Sequence, residues 1–159
     1  MTPDRIDHTS FVIRRDFPAR PAHAFRFWAE PDLKARWNDC HLDWTVLETV
    51  HEFRVGGLEA KRWRTPDDVE LTFHAHYLDI EPARRILYAY RMSLAGKRLS
   101  ASLVTIEFEP LEDRTRMTFT EQVALIGGGA GARNQRLAGT EEGFDRLAEI
   151  LAGEMAVRH

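Results

Sequence analysis

The sequence predicts an α+β domain: a curved antiparallel sheet of six to seven strands around a long C-terminal helix, with two short helices after the first strand. Three observations predict it. From about residue 42 to residue 125 apolar and polar residues alternate with period two, broken only by short turns. A single long segment at the end repeats apolar residues at helical spacing. Two short proline-started segments lie between the first strand and the alternating tract.

Residues 9–17 (TSFVIRRDF) read as the first strand, with Phe11, Ile13 and Phe17 alternating with Val12, Arg14 and Asp16. Pro18-Ala19-Arg20-Pro21 breaks that strand, and Pro21 suits the first turn of a helix carrying Ala24, Phe25, Phe27 and Trp28. Pro31-Asp32 restarts a second helix with Leu33, Ala35, Arg36 and Trp37. Residues 43–54 read as two short strands interrupted near Glu48, and Gly56-Gly57 marks a bulge or tight turn. A strand over 58–64 follows, then a hairpin turn at Thr65-Pro66-Asp67-Asp68. Residues 69–80 alternate Val69, Leu71, Phe73, Ala75 and Tyr77 with Glu70, Thr72, His74 and His76, up to Glu81-Pro82.

Residues 84–94 place Ile86, Tyr88, Tyr90 and Met92 on one side. Residues 98–109 do the same with Val104, Ile106 and Phe108. After a turn at Glu112-Asp113, residues 114–125 align Met117, Phe119, Val123 and Leu125. A glycine-rich loop over 127–131 leads to a helix from about Asn134 to Met155, with Leu137, Phe144, Leu147, Leu151 and Met155 in its stripe. Short turns between consecutive strands imply antiparallel pairing with one wet face. The long helix is the one element available to cover the dry face.

A chain of 159 residues fits a single domain, with its core over about 9–155. Hydrophobic residues at 43% and charged residues at 30% place it among globular proteins. The net charge of -3, with both signs interspersed, gives no basic face for nucleic acid. One cysteine, Cys40, allows no intrachain disulfide. No stretch reaches the ~20 apolar residues of a membrane helix, and residues 1–10 lack an apolar signal-peptide core. A cytoplasmic protein is the expectation by elimination, and both monomer and homodimer stay open.

Five segments carry a family resemblance: RDFPARP at 15–21, EPDLKARW at 30–37, RVGG at 54–57, IEPARRILYAY at 80–90 and GFDRL at 143–147. In this order they resemble the START-like, birch-allergen-like (SRPBCC) superfamily. Within it, the chain is similar to small bacterial proteins related to the C-terminal domain of the activator of the heat-shock-protein ATPase. Phe144 stands where that family usually has tryptophan. The resemblance implies a helix-grip fold with an internal hydrophobic cavity. It also implies a small apolar or aromatic ligand, or a co-chaperone-like and stress-related role with a chaperone ATPase as partner. It names no reaction, because this fold hosts carriers, receptors and cyclases alike.

Strict alternation puts Glu121 on the same face as Met117, Phe119 and Val123, and Arg15 with Ile13 and Phe17. If the first and last strands are neighbours, Arg15 and Glu121 can meet at the cavity wall. A buried carboxylate calls for a partner, so the two are expected to pair. The pair would anchor a ligand, supply acid–base chemistry or serve as a structural ion pair. The aromatic side chains Trp28, Trp37, Trp44, Phe53, Trp63, Phe73, Tyr88, Tyr90 and Phe144, with Met92 and Phe119, supply core and candidate cavity lining. Tyr88 and Tyr90 stand out because a buried phenol needs a hydrogen-bond partner.

His74 and His76 share a strand face with Glu70 and Thr72, which reads as solvent-exposed, and no metal site or cofactor is expected. Glu59 and Lys61 share a face with Trp63, where relatives carry aromatic residues. Either the cavity mouth is more polar or this is a charged edge strand. Cys40 beside Asp39 and His41 lacks the partners of a nucleophilic site. The 127–131 glycines read as a mobile loop or a lid over the cavity. A ligand-binding or co-chaperone-like domain is the leading expectation. The alternative is a cyclase- or hydrolase-like cavity enzyme using Glu121 with Arg15 or a tyrosine.

Overall fold

The computed structural model describes residues 5–39 and 43–157. The elements run β1 (Ile6–Phe17), α1 (Pro21–Ala29), α2 (Pro31–Asn38), β2 (Thr45–His51), β3 (Leu58–Arg64), β4 (Glu70–Glu81), β5 (Arg85–Leu94), β6 (Lys97–Leu111), β7 (Arg114–Ile126) and α3 (Gly129–Val157). The strands form one antiparallel sheet in the order β1-β7-β6-β5-β4-β3-β2. The α+β architecture expected from the sequence is present, with seven strands.

Proline sets the two short helices. Pro21 opens α1 at a position where the N–H that proline lacks would have no intrahelical partner, and Pro31 stops α1 and opens α2. Ala24, Phe25, Phe27 and Trp28 bury one side of α1. In α2 Lys34 and Trp37, one turn apart, face inward together. The Trp37 indole N–H donates to the Phe27 carbonyl at 2.8 Å, tying α2 to α1.

Three register shifts bend the sheet: at Val46/Glu48, at Tyr77/Asp79 and at Met92/Ser93. The first corrects the expectation of two strands over 43–54. The interruption near Glu48 is a bulge inside one strand, β2, and pairing with β3 resumes beyond it. The expected tight turn at Gly56-Gly57 is steric in origin. Gly56 has a φ of 82°, and a Cβ on Gly57 would sit 2.1 Å from the Glu52 carbonyl oxygen. The β5–β6 hairpin turns through Ala95 (φ 51°) and Gly96 (φ 78°), which matches the twist of the strands it joins.

The C-terminal helix starts earlier than expected. Only Gly127 (φ 74°) and Gly128 (φ 84°) make the turn, and Gly129 already opens α3. The glycine run is therefore a left-handed corner plus a first helical turn, where a longer loop was expected.

The two halves of α3 meet different surroundings. From Phe144 onward, Phe144, Leu147 and Leu151 are fully buried among Phe17, Phe27, Trp28 and Met117. Rings there pack at angles: Trp28 to Phe108 at 5.2 Å, Trp37 to Phe144 at 5.8 Å, Phe119 to Phe144 at 5.3 Å. Residues 130–142 are at most half-buried, and the space beneath that half is open. Each buried large side chain of the closed end contributes roughly 1.5–3 kcal/mol.

Candidate functional site

A cavity of about 730 Å³ lies between the sheet and the first half of α3. Its wall is the inner face of β3 to β7, where cross-strand partners share a face: Trp63, Leu71 and Leu94 in one row, Phe73 and Met92 in the next. The helix side is built from small and polar residues, Ala132, Gln135, Arg136, Gly139, Thr140 and Gly143. These leave room that larger side chains would take. Trp44, Trp63 and the Gly127-Gly128 corner also contribute to the lining.

Most of the residues named from the sequence come together on this lining. Trp28, Trp37, Trp63, Phe73, Tyr88, Tyr90, Met92, Phe119, Glu121 and Phe144 all border the cavity. Two do not. Phe53 turns into the closed core, edge-on to Phe25 at 5.6 Å and to Tyr77 at 5.0 Å. Arg15 points to α3, where it pairs with Asp145 and, at 3.7 Å, with Glu141.

The expected Arg15–Glu121 pair is thereby corrected. The two strands are neighbours and both residues face inward, but the register sets Arg15 opposite Met117 and Glu121 opposite Phe11. Four residues of offset separate them by about 13 Å along the ladder. Acidic residues on α3 are closer to Arg15 and more exposed, so the guanidinium stays at the surface.

Glu121 is 1% exposed and finds a different cation. Its Oε2 accepts from Tyr90 Oη at 2.7 Å, Ser102 Oγ at 2.7 Å and Arg136 Nη1 at 3.3 Å. Arg136 also donates to Tyr90 Oη at 2.9 Å and to Ser100 Oγ at 2.8 Å. Its guanidinium lies 5.7 Å from the Tyr90 ring centre. Burial, followed by the Glu121 charge, pushes the Tyr90 phenol far above its ordinary value and outweighs Arg136. Tyr88 is raised too, by burial first and then by Tyr90, Glu121 and Glu59. Both phenols are neutral hydrogen-bonding groups near pH 7.

Arg136 and Ser100 were missed from sequence. Arg136, Thr140, Phe144, Leu147 and Leu151 form one helical stripe, so running the apolar stripe backwards places the arginine inside.

A second buried carboxylate, Glu59, sits deeper in the wall. Lys34 Nζ donates to both its oxygens at 2.6 and 2.7 Å, Tyr77 Oη donates at 2.5 Å, and His51 Nδ1 lies 3.7 Å away. Burial alone would raise this carboxyl. The Lys34 charge, the nearby His51 ring and the hydrogen bonds from Lys34 and Tyr77 outweigh it and hold the group well below 4.5. Lys61 pairs with Asp39 at 2.5 Å, and Asp39 also accepts from the Trp63 indole at 3.1 Å. The charged-edge reading of Glu59 and Lys61 is corrected: β3 lies inside the sheet between β2 and β4, and both charges are buried and paired.

His74 and His76 lie away from this lining, their rings 5.1 Å apart, and burial followed by the Arg91 and His76 charges lowers His74. Among the described residues no group of three or more His, Cys, Asp or Glu side chains is placed to hold a metal ion. Among the same residues no helix is long and apolar enough to cross a membrane. The Cys40-His41 reading lies outside the described residues.

Residues 18–156 match the family described as Activator of Hsp90 ATPase homolog 1-like protein. The chain belongs to that family. Among solved structures, it resembles an uncharacterized protein of Rhizobium leguminosarum at 40% identity, with a TM-score of 0.88 over 95% of this chain and 99% of that one. A protein of Rhizobium loti shares 34% identity, with a TM-score of 0.84 over 91% and 98% of the two chains. One from Chromobacterium violaceum shares 25%, with a TM-score of 0.73 over 89% and 96%. No protein of curated description matches the chain significantly. Membership agrees with the resemblance carried by the five sequence segments.

Proposed function

We propose that this chain is a cytoplasmic ligand-binding domain that holds a small apolar or aromatic molecule between the sheet and the first half of α3. One observation carries the reading: a cavity of about 730 Å³ beside a core of buried aromatic and aliphatic side chains. Apolar wall that faces water in this open space is favourably covered by an apolar molecule. Its walls combine many rings with a few polar groups, as small-molecule sites do. A thermal-shift panel of apolar and aromatic compounds tests it. A ligand at 100 times its Kd adds about 2.7 kcal/mol, which raises the Tm of a chain this size by roughly 5–10 °C. A broad panel without any stabilising member overturns the reading.

Family membership supports a second reading, a co-chaperone-like domain that contacts a chaperone ATPase. It predicts that the purified chain raises the ATP turnover of such a chaperone. No change in turnover at saturating protein would remove it. The two readings differ in what Tyr88 and Tyr90 do, since a cavity-lining residue matters to the first alone.

A further inference from the structure

Among the described residues, two polar groups of the cavity wall are left without a partner. All three donors to Glu121 converge on Oε2, and among the described residues Oε1 receives none. The Tyr88 hydroxyl likewise has no hydrogen-bond partner among the described residues, although its ring packs against Tyr77 at 6.0 Å and Tyr90 at 5.9 Å. No fully buried side-chain nitrogen or oxygen among these residues is orphaned. The free oxygen and the free phenol therefore open onto the cavity that both residues line.

The sheet register brings the two together. Tyr88 pairs with Val104, and Val104 pairs with Glu121, so all three stand in one cross-strand row. Val104 is fully buried and shorter than either neighbour. The row presents an acceptor, a short apolar step and a phenol that can donate or accept. A carboxylate oxygen asks for a donor, and a phenol beside it is best used by an acceptor. A hydroxyl is the small neutral group that is both.

We propose that the cavity selects an aromatic or other flat apolar molecule bearing a hydroxyl, which donates to Glu121 Oε1 and accepts from Tyr88. This rests on reading the cavity as a ligand site and adds the polar group that its ligand carries. A carboxylate ligand is disfavoured. It would stand beside the Glu121 charge, while Arg136 already spends both terminal nitrogens on Ser100, Tyr90 and Glu121. An unsubstituted hydrocarbon fits the rings but leaves both polar groups without a partner, which costs affinity.

The test is a matched series, naphthalene, 2-naphthol and 2-naphthoate, measured by calorimetry and thermal shift at neutral pH. The expected order is 2-naphthol tighter than naphthalene by about tenfold, with 2-naphthoate no tighter than naphthalene. Tyr88→Phe should bring 2-naphthol down to the affinity of naphthalene. Because that hydroxyl has no partner among the described residues, the variant should fold like the parent. Glu121→Gln should also weaken 2-naphthol, and the tyrosine variant carries the test if the glutamine variant folds poorly. Equal binding of naphthalene and 2-naphthol, or tightest binding of 2-naphthoate, overturns the hydroxyl while leaving the cavity as a ligand site. Failure of all three, together with an unresponsive wider panel, overturns both.

Discussion

Glu59 and Glu121 are two carboxylates buried on the inner face of one sheet, and the protein treats them differently. Glu59 has donors on both oxygens, including a single ammonium that bridges the two. Glu121 has three donors crowded on one oxygen and a guanidinium no closer than 3.3 Å. A charge that is fully met has nothing left to offer a ligand. Glu59 thus acts as a fastener between α2 and the sheet, whereas Glu121 keeps half of its acceptor capacity at the edge of an open space. Burial and charge alone do not distinguish a structural ion pair from a recognition group. The distribution of donors over the two oxygens does.

The largest expected effect breaks the fastened site. Lys34→Met removes the ammonium and leaves Glu59 buried without its main cation. Loss of one partner of a buried pair costs about 3–5 kcal/mol, measurable as a lower midpoint in urea. Replacing both, Lys34→Met with Glu59→Leu, should recover most of that loss. A single variant that loses less than about 1 kcal/mol would mean that Glu59 depends little on Lys34.

The same site has a signature in acid. Folded Glu59 is held below its ordinary 4.5, so below that pH the unfolded chain takes up a proton that the folded chain refuses. Its stabilising contribution is complete above about pH 4.5 and is lost progressively as the pH falls further. The stability gap between the wild type and Glu59→Gln should therefore narrow between about pH 5 and about pH 3. A constant gap over that range would mean that the carboxyl is not depressed.

The cavity carboxylate should be more forgiving. In Glu121→Gln the amide oxygen can still accept from Tyr90 and Ser102, and Arg136 keeps Ser100 and Tyr90. The expected cost is about 1–2 kcal/mol, less than that of Lys34→Met in the same urea titration. An equal or larger loss would erase the distinction between the two carboxylates.

Legibility from the sequence divides along the same line. Alternation through Met117, Phe119, Val123 and Leu125 puts Glu121 inside from sequence alone, because period two leaves a strand residue no choice of face. The strands and the short helices were legible for the same reason, together with the prolines at 21 and 31. The partners were not. Lys34 and Glu59 are 25 positions apart and meet only when α2 crosses the sheet. Two inward charges on β3 could as well have meant an exposed edge. Strand adjacency pairs Arg15 with Glu121 but does not specify register. The cation that serves it lies on the open half of α3, where glycine, alanine and threonine dilute the apolar stripe.

That open half supports the smallest prediction. Gly139 lines the cavity, and a Cβ built on it would meet nothing within 4 Å. Glycine inside a helix costs roughly 0.5–1 kcal/mol relative to alanine, mostly through the unfolded chain. Gly139→Ala should therefore stabilise the protein by about that amount, read as a rise in Tm. Gly143 is the control one turn on, where a Cβ would lie 3.4 Å from the Trp37 ring and the added packing is tight. Gly143→Ala should gain less or nothing. If Gly139→Ala instead destabilised the chain, the space beneath the helix would have to be occupied already, and the contrast between a fastened wall and an open one would fail with it.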